Sequence, residues 1–202
     1  TNNLAVKKIL TTLSLVGTIF ISLGVQAHRG TTYPTVEYIE NQGQWEFPFL
    51  FKGTTSKGDI YLQKNGFRLM MADAANHTKL DMLHHGTTKE KQTLRYHAYE
   101  MNFLNANTDF TVNKLKPQNN YYNYFLGKDP NRWKTGIHPN LAVDYINFYE
   151  KTDLHIYSET GNIKYDIILH PGADLSKVQI EYKGTDGIRL ENNKLYIKTS
   201  LG

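Results

Sequence analysis

The sequence predicts a mainly β protein, an antiparallel β-sandwich-like domain with many short strands and hairpins and few short helical turns. Tyr (14), Phe (9) and Trp (2) are plentiful, and together with recurrent β-branched residues this composition is typical of strands. Turn-forming residues separate alternating apolar stretches about every eight to twelve residues. After residue 28 no helical period continues beyond about two turns, which favours an all-β domain.

Composition restricts the classes of function. The chain has 202 residues, of which 40% are hydrophobic and 21% charged, as is usual for a globular domain. It has no Cys, which excludes disulfides, thiolate metal sites and a Cys nucleophile. Basic and acidic residues alternate along the chain rather than forming a basic stripe, so no nucleic-acid partner is predicted. No nucleophile elbow, Walker loop or dinucleotide fingerprint occurs, and no cofactor is expected.

The first 27 residues have the pattern of a secretory signal peptide. Lys7 and Lys8 form a positive region, an apolar run follows over residues 9–25, and cleavage is expected after Ala27. A transmembrane anchor is the alternative, but the run is shorter than about 20 residues and contains Thr, Ser and Gly. We therefore expect export through the Sec pathway, a secreted or cell-surface location, and contact with a membrane only during export.

The remaining chain is interpreted as a short lead-in and one domain. Residues 28–35 are polar, and residues 36–202 form the β-rich domain without an internal repeat or a dividing linker. A predicted strand runs up to the last residues of the sequence, which leads us to expect that more protein follows Gly202.

The first half of the domain contains one strong hairpin signal. "DIYLQKNGFRLMM" (59–71) alternates on both sides of Asn65 and Gly66, which predicts two strands joined by a tight turn with positive φ angles. Residues 72–92 are polar without a sustained period and are predicted to be a long exposed loop. "RYHAYEMNF" (95–103) is a further strand, and Asp129 is expected to cap a single helical turn that starts at Pro130.

Strands follow one another closely in the second half. Hairpin loops are expected at residues 159–162 and at Asn192 and Asn193. The predicted strands are "LAVDYINFY", "LHIYS", "NIKYDIILH", "VQIEY" and "GIRLENNKLYIKT".

The stretch "HPGAD" (170–174) connects two of these strands. Pro171 ends a strand because it cannot donate a ladder hydrogen bond. Gly172 gives the backbone freedom to turn, and Asp174 can accept from the amides of the following turn. No nucleophile or orienting group stands beside His170 in the sequence, so the stretch is interpreted as a structural turn.

Two groups of residues could carry chemistry. His84 and His85, with His77 or His97, could be a metal cluster, but most lie in the predicted loop without the fixed spacing of a metal site, and no metal is expected. The carboxylates of predicted strands could form the acid–base pair of a glycosidase or, equally, cross-strand ion pairs. These carboxylates are Asp144, Asp153, Asp166 and Asp174.

Aromatic residues of 121–133 are the third candidate. Tyr121, Tyr122, Tyr124 and Trp133 could stack on sugar rings, although such clusters often serve as core or loop anchors.

An ordered set of motifs carries a family resemblance. The motifs are "IENQGQW" (39–45), "FLFKG" (49–53), "IYLQKNGF" (60–67), "HAYEMNFLNAN" (97–107), "YYNYFLGKDPNRW" (121–133), "IKYDIILHPGADLSKVQIEYKG" (163–184) and "LYIKTSLG" (195–202). Together they resemble an uncharacterised N-terminal domain of large secreted proteins of the Bacteroidota. Asn105, where Gly is more frequent, and Leu175, where Pro is common, depart from the family pattern.

The resemblance implies a non-catalytic first domain of an exported protein. In that family the domain is often followed by SBBP propeller-type repeats and by PKD or immunoglobulin-like modules. A C-terminal sorting domain of the gliding-motility, type IX secretion kind often comes last. The leading hypothesis is thus a structural or interaction module, with adhesion as a candidate role and downstream modules, a surface protein or a surface glycan as partners. A carbohydrate-binding module using the aromatics of 121–133 and a glycan-directed hydrolase are the alternatives.

Overall fold

The protein is described by a computed structural model that covers residues 35–88 and 90–201. The predicted signal peptide and residues 28–34 of the lead-in lie outside the described residues. Within them the chain is mainly antiparallel β, as the sequence predicts. No helix in the described ranges has the length and apolar character needed to span a membrane.

Fourteen strands, one α-helix and two 3₁₀ turns follow one another in the described residues. The strands are β1 (Tyr38–Glu40), β2 (Phe51–Thr55), β3 (Gly58–Gln63), β4 (Gly66–Ala72), β5 (Tyr96–Leu104), β6 (Thr111–Pro117), β7 (Tyr122–Tyr124), β8 (Lys134–Ile137), β9 (Asn140–Tyr149), β10 (Thr152–Glu159), β11 (Asn162–Leu169), β12 (Gln179–Lys183), β13 (Gly187–Glu191) and β14 (Lys194–Lys198). The helix is α1 (Ala75–His84), and the 3₁₀ turns are η1 (Pro130–Arg132) and η2 (Leu175–Lys177).

One large curled sheet organises the domain. Its strands follow the order β11-β10-β9-β1-β2-β3-β4-β5-β12, and β6 adds to β9 as a branch. The sheet curls until its two end strands share one interior, where Tyr165 of β11 and Tyr182 of β12 form a side-chain hydrogen bond. Two small sheets, β7–β8 and β13–β14, complete the architecture.

Aromatic side chains fill the interior of the curl. The rings of Phe110 and Tyr145 stack with centroids 4.3 Å apart, and Phe103 meets Phe148 edge-on at 5.2 Å. Leu154 and Ile156 are fully buried on the inner face of β10. Each such buried side chain contributes about 1.5–3 kcal/mol, and this burial stabilises a domain that has no disulfide.

The structure confirms the predicted hairpin over residues 59–71 but corrects its turn. Gln63 pairs with Gly66, so the two turn residues are Lys64 and Asn65, and neither Asn65 nor Gly66 has a positive φ. Gly66 is instead required by a neighbouring strand. A Cβ added there would lie 2.0 Å from the carbonyl oxygen of Met101 on β5. The glycine therefore permits close approach of β4 and β5 rather than a left-handed turn.

The predicted loop over residues 72–92 is wrong, because α1 occupies much of it. Asp73 precedes the helix and accepts from the backbone N–H of Ala75 at 2.9 Å. Asn76, buried at 3% exposure, donates to the carbonyl of Arg95 and accepts from its N–H. The helix has no apolar stripe, and these contacts with the start of β5 fix it in place. Apolar periodicity could not reveal a helix of this kind.

The other predicted turns are confirmed. Thr160 and Gly161 have positive φ in the β10–β11 hairpin, as do Asn192 and Asn193 in the β13–β14 hairpin. Asp129 caps η1 by accepting from the N–H of Asn131.

The "HPGAD" stretch forms a turn in which every predicted role is met. Ala173 donates to the carbonyl of His170 at 2.9 Å, and Gly172 has a φ of 83°. With Pro171 at the preceding position, this is a type II turn. Asp174 then caps η2 by accepting from the N–H of Ser176 at 3.0 Å and from its hydroxyl at 2.6 Å.

Replacing Gly66 with Ala is expected to destabilise the domain by about 1–3 kcal/mol, because β4 and β5 must separate to admit a methyl group. Denaturant unfolding monitored by circular dichroism measures the change. Gly187→Ala is the matched control, since its Cβ would be 3.9 Å from the nearest atom outside the adjoining residues. Equal stability of the two variants would contradict the close β4–β5 approach.

The pKa of the Asp174 carboxyl is expected to lie below its ordinary value, first because of the Ser176 hydroxyl and then the Ser176 backbone N–H. The cap therefore contributes stability above the ordinary pKa of an aspartate and loses it as pH falls through the lowered pKa. Titration of the carboxyl carbon by NMR measures this directly. Ser176→Ala should raise the pKa, and an unchanged value would refute the proposed cause.

Candidate interaction surface

The segment between β1 and β2 is an ordered loop with aromatic side chains. The side-chain amide of Asn41 donates to the carbonyls of Trp45, Phe47 and Phe49 at 3.0–3.3 Å. Gln44 is fully buried and donates to the carbonyl of Glu40 at 2.7 Å. These bonds fix the path of the backbone, and the ring of Phe47 projects into solvent with 68% of its surface exposed.

A second ordered segment carries the aromatic residues of 121–133. β7 pairs with β8, and Gly136 donates to the side chain of Asn123 at 2.9 Å. Between the two strands, Phe125 and Trp133 form an edge-to-face pair with ring centroids 5.7 Å apart. Phe125 is 60% exposed and Trp133 42%, so this pair presents a large apolar area to solvent.

The two segments are held together by polar and aromatic contacts. Arg132 forms an ion pair with Glu46 and donates to the carbonyl of Gln44 at 3.3 Å. The rings of Trp45 and Tyr124 meet edge-on at 4.9 Å. Residues 45–49 and 121–133 therefore form one continuous region, which we call the aromatic loop surface. It contains both tryptophans of the chain.

The four predicted sugar-stacking residues contact different neighbours, and among them only Tyr122 and Tyr124 have rings in contact. Tyr121 is exposed and lies beside His138, whereas Tyr124 is half-buried against Trp45. Trp133 packs on Phe125 and donates its indole N–H to the carbonyl of Gly127.

Tyr122 is engaged by a carboxylate. Its hydroxyl donates to Glu37 at 2.5 Å. The pKa of Tyr122 is raised to about 12, mainly by this hydrogen bond and to a smaller extent by partial burial. The phenol is therefore neutral at physiological pH and is held in a fixed orientation, with its ring tilted 35° from that of Tyr124.

Sequence reasoning missed three residues of the surface: Trp45, Phe47 and Phe125. The run "QWEFPF" (44–49) carries a local signal, since it places three aromatic residues within six positions of a loop. Its association with residues 121–133 depends on Arg132, which is 86 positions away from Glu46, and no local pattern shows that contact.

The comparison with known families covers nearly all the described residues. The family described as Domain of unknown function (DUF7948) matches residues 38–202. The chain belongs to this family. No curated protein and no solved structure matches it.

In this DUF7948 domain the predicted aspartates make local contacts on the surface of the sheet. The strand register places His155 between Asp144 and Asp166, and its Nδ1 bonds to Asp144. Asp153 accepts from the N–H of Asn147 and pairs with His170 at 2.7 Å. His170 therefore has an orienting carboxylate, contrary to the sequence interpretation.

The predicted histidines lie apart from this row. His77 and His84 are on α1, and His85 follows it. His97 on β5 bonds through Nδ1 to the Ser200 hydroxyl at 3.0 Å. Among residues 35–88 and 90–201, no group of three or more His, Cys, Asp or Glu side chains is arranged to hold a metal.

Arg132→Met is expected to loosen the aromatic loop surface with a loss of less than about 1 kcal/mol in global stability, because the Arg132–Glu46 pair is exposed. The measurement is acrylamide quenching of Trp133 in a Trp45→Phe background, and the quenching constant should rise. Arg189→Met removes an exposed ion pair with Glu191 and should leave quenching unchanged. Identical quenching in both variants would show that Arg132 does not hold the two segments together.

Proposed function

We propose that this DUF7948 domain is a non-catalytic interaction module that binds a protein partner through the aromatic loop surface. The observation that carries the proposal is the exposure of Phe47, Phe125 and Trp133 on two segments that are fixed by hydrogen bonds. Large exposed apolar patches with a polar rim are typical of interaction sites.

The composition of the surface favours a protein as the partner. Aromatic residues and Arg are enriched at protein interfaces, and Trp, Tyr and Arg are frequent among the residues that dominate binding energy. Arg132, beside Trp133, adds a cation to this set. Because the backbone of both segments is already ordered, little conformational entropy is lost on binding.

Export is the second part of the proposal. The signal-peptide pattern of residues 1–27 and the ordered motifs over residues 39–202 support a secreted or cell-surface protein of the Bacteroidota. In such a protein the partner is a downstream module of the same chain or a second surface protein, and the module contributes to surface assembly or adhesion.

Glycan binding is a second candidate, favoured by the surroundings of Tyr121 and Tyr122. Glu37 accepts from the Tyr122 hydroxyl and from the Asn120 side chain, and His138 lies beside Tyr121. Exposed rings next to planar polar groups are able to stack on and hydrogen-bond to a sugar. The hydrolase alternative has no comparable support, because its aspartates make structural contacts on the sheet.

The test is hydroxyl-radical footprinting of the protein alone and as displayed on the producing cells. Phe47, Phe125 and Trp133 should be protected on cells, whereas Leu190 and Tyr196, exposed on the β13–β14 hairpin, should be labelled equally in both states. A Phe47→Ser/Phe125→Ser variant should lose the protection, since interface anchors of this kind contribute about 2 kcal/mol or more each.

Two outcomes would contradict the protein-partner proposal. The first is equal labelling of the aromatic residues in both states. The second is protection that purified surface glycan reproduces and that Tyr122→Ala or Trp133→Ala abolishes, which would favour the glycan candidate. Glycan-array binding that survives both of these substitutions would in turn reject the predicted sugar platform.

A further inference from the structure

A separate apolar cavity lies inside the curl of the large sheet, between its two end strands. Its volume is about 720 Å³, within the range of about 300–1,000 Å³ that is usual for small-molecule sites. Side chains from β3, β4, β5, β11, η2, β12 and β14 line it. We call it the β11–β12 cavity.

One wall of the cavity follows β11. On β11 it is lined by Ile163, Tyr165 and Ile167, which are alternate residues of one face. Four residue steps at about 3.3 Å each give a length of about 13 Å. Phe67 and Met101, both buried in the core, lie at its base. An apolar wall of this length accommodates an extended aliphatic chain.

The polar groups in the cavity are uncharged. Among its lining residues, all within the described part of the chain, none is acidic, basic or His. Three phenols, of Tyr99, Tyr165 and Tyr182, supply hydrogen-bonding groups. Tyr165 and Tyr182 bond to each other, and burial raises the pKa of all three phenols. They therefore stay neutral and are able to donate to or accept from an uncharged oxygen.

The β13–β14 hairpin covers part of the cavity. Leu195 and Ile197 of β14 face into it. Within the described residues, β13 and β14 pair only with each other and not with the large sheet. The hairpin is held near its base, where Ser200 contacts His97 and accepts from Arg95. A cover without ladder bonds to the sheet is able to open without breaking the sheet.

We infer that the β11–β12 cavity binds a neutral single-chain lipid, with its aliphatic chain along β11 and β12 and an uncharged oxygen head group at Tyr99, Tyr165 and Tyr182. An ionised carboxylate or phosphate is disfavoured, because no cation lines the cavity to offset its loss of hydration. Native interiors are closely packed, and an apolar space of this size loses the contacts of its lining unless a ligand fills it. This inference is independent of the aromatic loop surface.

The experiment uses the whole chain and the neutral fluorescent probe N-phenyl-1-naphthylamine at pH 8. The probe should bind saturably at one site per chain. Monodecanoylglycerol should displace it at a concentration at least about tenfold lower than decanoate, which has the same chain length and a charged head. Absence of saturable binding, or equal or stronger displacement by decanoate, would overturn the inference.

Two variants locate the site. Ile180→Trp fills the cavity and should weaken probe binding at least about tenfold, whereas Tyr196→Trp, on the exposed face of β14 opposite to Leu195 and Ile197, should not change it. Tyr182→Phe preserves the volume, so it remains informative if Ile180→Trp does not fold. It should weaken monodecanoylglycerol binding about threefold to tenfold and leave the probe unaffected, and Tyr196→Phe is its control. Undiminished probe binding in folded Ile180→Trp, or no difference between Tyr182→Phe and Tyr196→Phe, would place the ligand elsewhere.

Discussion

The rest of the structure depends on β9, which pairs with three neighbouring strands and also packs on two faces. It pairs with β10 over residues 143–149, with β6 over residues 140–146 and with β1 at Asn140. Its Tyr145 and Phe148 rings contact each other within the core, although they are three residues apart. A positive φ of 60° at Asn147 makes this possible, because it interrupts the strict alternation of side chains. This irregularity bends and twists the sheet locally at β9.

Local features of the fold were predictable, and contacts between distant segments were not. Two hairpins and the "HPGAD" turn follow from Gly, Asn and Pro at positions whose φ they determine. Gly66 was assigned to a turn because Asn-Gly is a strong hairpin signal, yet its role comes from Met101 on another strand. Helix α1 was missed because Asn76 and Arg95, rather than an apolar stripe, hold it in place.

The same distinction applies to the candidate sites. The aromatic run of 121–133 is visible in the sequence, but its union with Trp45 and Phe47 depends on Arg132. The β11–β12 cavity is still less predictable from the local sequence. Alternation correctly places Ile163, Tyr165 and Ile167 on one face, and Val178, Ile180 and Tyr182 likewise. Alternation alone does not reveal whether two such faces close on each other or leave a space, since that depends on how far the sheet curls.

The two ends of the curled sheet also explain how an apolar cavity is compatible with a stable protein. Edge strands with apolar faces promote aggregation when they are open to other chains. Here β11 and β12 turn their apolar faces inward, and the β13–β14 hairpin adds Leu195 and Ile197 as cover. A sheet closed by ladder hydrogen bonds would also remove this hazard. An interior bounded by side chains and a separate hairpin covers these apolar faces and keeps the space accessible, as the proposed lipid site requires.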